Sequence, residues 1–493
     1  MKKSFLFIGI LLAVNLITAQ TTTYDIVLKG GKVMDPATEF EGIRNVGIIG
    51  DRIIEISEKP LTGLTEIDVT GLVVAPGFID LHVHGMTNKA HEYQIRDGVT
   101  TALELEGGIA FLGDWIAAKS GNSIVNFGAT AAHSTIRALA MGQYQHYFAE
   151  AKKTIAEKGI NSPELSKLQI NMGRSGYQSL SEVEIEKMKP MLVAELEEGA
   201  LGIGVPVGYY PGSTHGEIYR VYELAAEMQA PIFSHTRGFG LSGIHEAIAN
   251  ATASGAPLHI VHANSLSLGE IQVTLDMVAS AQERGLHVTT EVYPYTAAST
   301  SLESAIFDEG WQNTLGITYK DIQWEATGER LTEATFKTYR EKGGVVIIHM
   351  MKPEWIVKGI QDKRTMIGSD GMPYAPGAHP RTAGTFSRVL GRYVREQKVI
   401  GLMDALKKMT IMPAQRLAAI SPMMRNKGRL QIGADADITV FDPATIIDKA
   451  DFKGLQYSEG VQYVLINGVV VVNKQEIVPN VFPGKAIVGK YRR

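Results

Sequence analysis

FIDLHVHG, residues 78–85, alternates apolar and polar side chains with the period of a β-strand. Ile79, Leu81 and Val83 share one face, while Phe78, Asp80, His82 and His84 share the other. An enclosed imidazole without a partner is costly, so a single histidine here would read as a core residue bonded to backbone. Two histidines two apart at the C-terminal end of a strand, just before Gly85, favour metal ligation. The remaining ligands must then come from elsewhere in the chain.

Working outward, seven further strand-like runs follow: TTALELE, IVNFGATAAH, LGIGVPV, PIFSHT, LHIVHA, LHVTTEVYP and MIGSDG. Helix-compatible stretches such as IYRVYELAAEMQ and EIQVTLDMVASAQERG separate most of them. Strand and helix alternating eight times predict an α/β fold, a closed (β/α)8 barrel rather than an open doubly wound sheet. Another strand-like run, GGVVIIHM, ends a long segment at 301–348 that reads as an insertion before the eighth strand. Chemistry in such barrels sits at the C-terminal strand ends. Those ends carry His82 and His84, Glu104 and Glu106, His235, His262 and Asp370. Four imidazoles and two or three carboxylates at one mouth make sense around one or two divalent cations.

Outside the barrel, residues 24–75 hold short β-like runs with turns at Gly30-Gly31 and Gly50-Asp51. The same texture returns in ADITVFD and VQYVLINGVVVVN, with Asn467-Gly468 a hairpin signal. The expected organisation is a small β-sandwich domain built from both chain ends, 21–75 plus 429–493, with the barrel over 76–428. Residues 1–20 read as a secretory signal: Lys2 and Lys3, an apolar run from Phe5, and small Ala19 near the cleavage site. The run is short for a membrane span, so an exported protein, periplasmic or secreted and without a stable membrane anchor, is expected.

The 493 residues suffice for one large and one small domain. A formal charge of −4 gives no reason to expect nucleic acid or an anionic membrane as partner. The chain has no cysteine, which removes disulfides, thiolate ligands and a cysteine nucleophile together. Any metal must be held by His, Asp or Glu.

PGFIDLHVHG, the histidines of strands five and six, and GSDG on strand eight resemble the amidohydrolase superfamily of metal-dependent hydrolases. Within it, IGSDGMPYAPGAHPRTAGTFSRVLGRYV, EVYPYTAAST and GRLQIGADADITVFDP are similar to the D-aminoacylase (N-acyl-D-amino-acid deacylase) family. The resemblance runs from about residue 24 to the C-terminus. It implies one or two divalent cations, zinc being the expected metal. His82, His84 and Asp370 would serve one metal position, His235 and His262 the other. Two family features are missing: the cysteine after GVTT, and the strand-four lysine that bridges two metals in other superfamily members. Glu106 is the natural replacement bridge, with Glu104 as the alternative. The family's lysine two residues after the sixth-strand histidine is Asn264 here, while Arg381 matches the family's arginine, a fork suited to a substrate carboxylate. Tyr293 and Tyr295 fit its tyrosine positions. His91, His133, His215, His259, His349 and His379 read as structural, with His133 and His379 also candidates for the pocket wall.

The implied activity is hydrolysis of a linear amide, deacylation of an N-acyl-D-amino acid, with N-acyl-D-glutamate among the candidates. Hydroxide generated at the metal attacks the carbonyl, and Asp370 shuttles the proton to the departing amine. The expected partner is a small N-acyl amino acid or related amide. The rivals are a cyclic-amide hydrolase of hydantoinase or dihydroorotase type, a dipeptidase, and a non-catalytic binding protein. Asp370 speaks against the last.

Overall fold

The structure, a computed structural model, describes residues 23–492. The leader expected at 1–20 lies outside the described residues. Eight parallel strands form one sheet in chain order: β1 Phe78–Asp80, β2 Val99–Ile109, β3 Asn126–Ala132, β4 Ile203–Pro206, β5 Ile232–His235, β6 Leu258–Ile260, β7 Val288–Val292 and β8 Thr365–Ile367. All eight coincide with the runs read from the sequence. Helices cover the sheet, so its strands are shut from solvent on both faces; every residue of β3, β4, β5, β6 and β8 is buried. The two helices anticipated between strands are His215–Glu227 and Ile271–Glu283.

The barrel closes past the ends of β8 and β1, through a single parallel bridge between Val83 and Gly371. His84 N–H donates to the Gly371 carbonyl at 2.7 Å, and Gly371 N–H donates to that of His82 at 3.3 Å. Beneath this seam the Asp80 carboxylate accepts from the Ser369 and His82 amides at 2.9 and 3.2 Å. Burial pushes the Asp80 carboxyl up to about 7 against those hydrogen bonds. Asp80 thus ties the two strands that carry His82, His84 and Asp370.

The chain ends meet in a single nine-stranded sheet. Thr23–Asp35 pairs with Phe40–Ile49, Thr62–Asp68 and Val73–Pro76, and Val73–Pro76 pairs antiparallel with Ile438–Phe441. One core of Leu28, Val33, Val46, Ile48, Val74, Ile438, Val440 and Leu465 fills it. Asn467 and Gly468 take φ of 48° and 79° between Val461–Ile466 and Val469–Asn473, the two positive values that a tight hairpin of this handedness needs.

The segment before β8 is more built than the sequence suggested. It starts at Ala298 rather than 301 and forms a three-stranded antiparallel sheet, with Val345–Ile348 between Ala298–Ser301 and Ile322–Trp324. Stacked Trp311 and Phe336, with ring centroids 5.2 Å apart, help fill the space under it. Among the described residues no helix is long and apolar enough to cross a membrane.

Candidate metal centre

β1 ends at Asp80, and the chain beyond it sends both His82 and His84 into the barrel mouth. Their Nε2 atoms reach one oxygen of Glu106, Oε2, at 3.1 and 3.2 Å. The other oxygen, Oε1, meets His235 Nδ1 at 2.7 Å and His262 Nε2 at 3.2 Å. A single carboxylate therefore divides four imidazoles into two pairs. Strand four presses against it from behind: a Cβ at Gly204 would lie 2.3 Å from the Glu106 carbonyl oxygen. Asp370 completes the ring, its Oδ1 at 3.4 Å from His84 Nε2 and 3.6 Å from His82 Nε2.

These donor atoms form three overlapping groups: His82, His84 and Glu106; Glu106, His235 and His262; and His82, His262 and Asp370. Within each, the ligand atoms lie inside 4.8 Å of one another. The donor set fits hard or borderline divalent cations, imidazole nitrogen plus carboxylate oxygen with no thiolate. His235 Nε2 is buried without a hydrogen-bond partner, so of the four rings this one has no outer group holding its second nitrogen among the described residues.

The rings are aimed from outside the cluster. Glu291 holds His82 Nδ1 at 2.5 Å, Glu104 holds His84 Nδ1 at 2.8 Å, and Ser265 Oγ lies 2.9 Å from His262 Nδ1. A carboxylate or hydroxyl on one ring nitrogen fixes the tautomer and presents the other nitrogen to a metal. Glu104, the alternative bridge, is thereby placed behind His84, where it also accepts from the Gly107 amide at 3.0 Å. His262 and Asp370 adopt φ of 27° and 53°, a left-handed conformation costly for side chains with a Cβ and concentrated at functional sites.

The electrostatics follow from the crowding. Burial alone would push His82 down, yet Asp370, Glu291 and Glu106 hold it well above the ordinary histidine range. His84 behaves likewise under Glu104 and Asp370. Glu106 and Glu291, although buried, stay below the usual carboxylate range because imidazoles surround them. Asp370 is held down against its burial by Arg381 and His82. So many buried carboxylates require positive charge nearby, from protons or from cations.

A cavity of about 240 Å³ opens onto this cluster. His84, Glu106, His235, His262 and Asp370 stand on its wall with Tyr209 and Ser265, and the small sheet of the 298–348 segment roofs it through Ser299, Thr300 and Ile348. Arg381 is not on the wall. It lies buried behind, with Nη2 2.9 Å from Asp370 Oδ1 and 3.3 Å from the Ser299 carbonyl, and its Nε and Nη1 unpartnered. Tyr293 lies under that guanidinium, whose carbon is 4.8 Å from the ring centroid. Tyr295 is buried against Arg388 and His379. Asn264 braces the chain after β7, donating to the Tyr293 carbonyl at 3.2 Å. Tyr293, Tyr295 and Asn264 thus stand off the cavity wall, each engaged in packing or backbone bonds.

Among the other histidines, His133 bonds Tyr210, His379 bonds the Ala297 carbonyl, and neither lines the cavity. His259 is held by Thr289 Oγ1 at 2.8 Å and by Glu291 at 3.3 Å. Glu291 and Tyr209 were not singled out in the sequence. Glu291 carried a readable signal, an acid at an inward position of a buried strand, the same signal as Glu104 and Glu106. Gly368 makes room for it, since a Cβ there would lie 2.6 Å from Glu291 Oε2.

The chain has counterparts among known proteins. The family model described as "Amidohydrolase family" matches residues 73–471. An N-acyl-D-glutamate deacylase of Alcaligenes xylosoxydans xylosoxydans is 29% identical over 474 residues, covering 91% of this chain and 93% of the relative. A D-aminoacylase of the same organism is 27% identical over 506 residues, covering 92% and 95%. The crystal structure of N-acyl-D-glutamate deacylase from Bordetella bronchiseptica, complexed with zinc and a phosphonate that mimics the tetrahedral intermediate, superposes with a TM-score of 0.79 at 25% identity. It covers 95% of this chain and 100% of that one.

Proposed function

The chain belongs to the amidohydrolase family, and from that premise we propose that it is a metal-dependent hydrolase of linear amides that deacylates N-acyl-D-amino acids. The observation that carries the reading is Glu106, each of whose oxygens faces its own pair of imidazoles beside Asp370. The proposed ligands are His82, His84, Glu106, His235, His262 and Asp370, for one or two divalent cations, zinc as in the Bordetella relative. A cation bound there supplies the Lewis acidity that activates water and polarises the amide carbonyl.

The chain's own groups do the rest. Asp370, kept as a carboxylate by Arg381, takes the proton of the attacking water and delivers it to the leaving nitrogen, base first and acid second. Glu291, Glu104 and Ser265 keep the imidazoles aimed. The 298–348 sheet forms part of the wall above the cluster.

The wall also bears on the substrate. Pro206, Phe239, Ile306, Ile348, Met350 and Met372 make it largely apolar, and no lysine or arginine stands on it among the described residues. Arg381, buried behind Asp370 and Ser299, is the cation next to the wall, and it would meet a substrate α-carboxylate only by shifting off Asp370. An acidic side chain would have no counter-charge of its own, so apolar D-amino acids are favoured over D-glutamate. With zinc loaded, N-acetyl-D-methionine should be cleaved with kcat/KM at least about tenfold above N-acetyl-D-glutamate. Cleavage of hydantoins or dihydroorotate in place of both overturns the linear-amide reading.

Export is part of the same proposal, supported by Lys2, Lys3, the apolar run and Ala19. N-terminal sequencing of the protein from its host should begin near Gln20; an intact Met1 on a cytosolic protein contradicts it.

A further inference from the structure

The opposite end of the barrel holds a second cavity, of about 1020 Å³, under the N-terminal ends of β5 to β8. Its wall carries five cationic side chains, Lys363, Arg364, Arg416, Arg425 and Lys490, and no aspartate or glutamate. They come from separate segments: the turn into β8, the helix Ile411–Leu417, the turn Pro422–Asn426 and the C-terminal stretch. Arg364 is paired with Glu283 at 3.1 Å. The other four form no ion pair among the described residues.

Cations are common near helix C-termini, where they offset the helix dipole, and the helices His215–Glu227, Leu241–Ser254 and Ile271–Glu283 all end on this side. That accounts for exposed Lys363 and Arg425. It does not account for Arg416. Its Nε and Nη2 are shut from solvent and have no acceptor, and its guanidinium carbon stands 5.7 Å from the ring centroid of Phe233 in the barrel interior. Burial lowers its pKa to about 10, as befits a guanidinium lacking a counter-charge. Two buried donors without an acceptor are costly, and a half-buried guanidinium that also stands on a cationic wall is suited to a phosphate group.

We propose that this cavity is a binding site for a small phosphate-bearing anion, received by the Arg416 fork and by Lys363, Arg425 and Lys490 around it. Half-buried Thr289 lies on the same wall. Its hydroxyl begins a hydrogen-bonded series through His259 and Glu291 to His82. The cavity is thus distinct from the metal centre yet joined to it through the barrel axis. A free phosphate ion and a phosphate ester share the required chemistry, and the space exceeds what phosphate alone fills.

Calorimetric titration of inorganic phosphate and of adenosine monophosphate into the metal-loaded full chain tests the site. Saturable binding that weakens with added salt is expected for at least one probe, tighter for the monophosphate if an ester is the ligand and for phosphate if the free ion is. Arg416→Met, which keeps the apolar stem, should weaken binding at least about tenfold. The double variant Lys363→Ala/Arg425→Ala touches only exposed side chains and should weaken it comparably with an unchanged melting temperature. Failure of the wild type to bind either probe overturns the proposal. So does binding that both variants retain, since that anion would be seated at the metal centre.

Discussion

The two ends of the barrel treat charge in opposite ways. At the C-terminal mouth, Glu104, Glu106, Glu291 and Asp370 are all buried and all matched, each against an imidazole or Arg381. At the N-terminal end, five cations face one cavity, a single one of them is paired among the described residues, and Arg416 keeps two buried donors without acceptors. The mouth has a left-handed histidine and aspartate locked in place, whereas the lower wall is made largely of exposed side chains from helix ends and turns. The matched end is organised to hold cations and perform chemistry. The unmatched end is organised to receive an anion. One buried series, Thr289–His259–Glu291–His82, passes between them.

The contrast is testable residue by residue. Asp370→Asn removes the proton carrier at the mouth, and turnover should fall at least about a hundredfold, the usual scale for general acid–base work. Steady-state kinetics at saturating metal decide it, and near-normal turnover with metal bound would refute the role. Glu291→Gln keeps shape but loses the charge behind His82. Metal affinity should drop about 10- to 100-fold, read by competition with a chelator, with activity recovering in excess metal. An unchanged affinity would make Glu291 a packing residue only. Thr289→Val cuts the series at its lower end, three hydrogen bonds from the proposed metal ligand His82. Deacylation should change by less than about twofold, since only a distant hydrogen bond is lost. A loss as large as that of Glu291→Gln would mean the two ends are not separate.

Legibility in the sequence followed the range of the interactions. His82 and His84 were readable because two residues two apart in extended chain share a direction, and Glu106 because it lies near the C-terminal end of the neighbouring strand. The eight strands were readable because short β-like runs, several alternating apolar with polar residues, recur between helix-compatible stretches. The 298–348 sheet was legible only at Val345–Ile348; its partners Ala298–Ser301, which is polar, and Ile322–Trp324, three residues long, become strands by pairing with it. Glu291 shows in the sequence only as an inward acid; its role depends on His82 and His259, which lie 209 and 32 residues away. Arg381 was found, but its position behind Asp370 depends on a turn no local pattern encodes. The lower cavity draws its cations from four segments that only the closed barrel brings together.

One carboxylate shared by two pairs of imidazoles organises the mouth of the barrel, and metal analysis of Glu106→Gln tests that most directly. Glutamine keeps the length of the side chain but replaces one oxygen by an amide nitrogen that cannot ligate beside an imidazole pair. Elemental analysis after loading with excess zinc should show bound metal falling by at least about one ion per chain relative to wild type, with deacylation lost alongside it. A variant that keeps the full wild-type metal content and its turnover would show that Glu106 bridges nothing, and that His82, His84, His235 and His262 are organised by some other group.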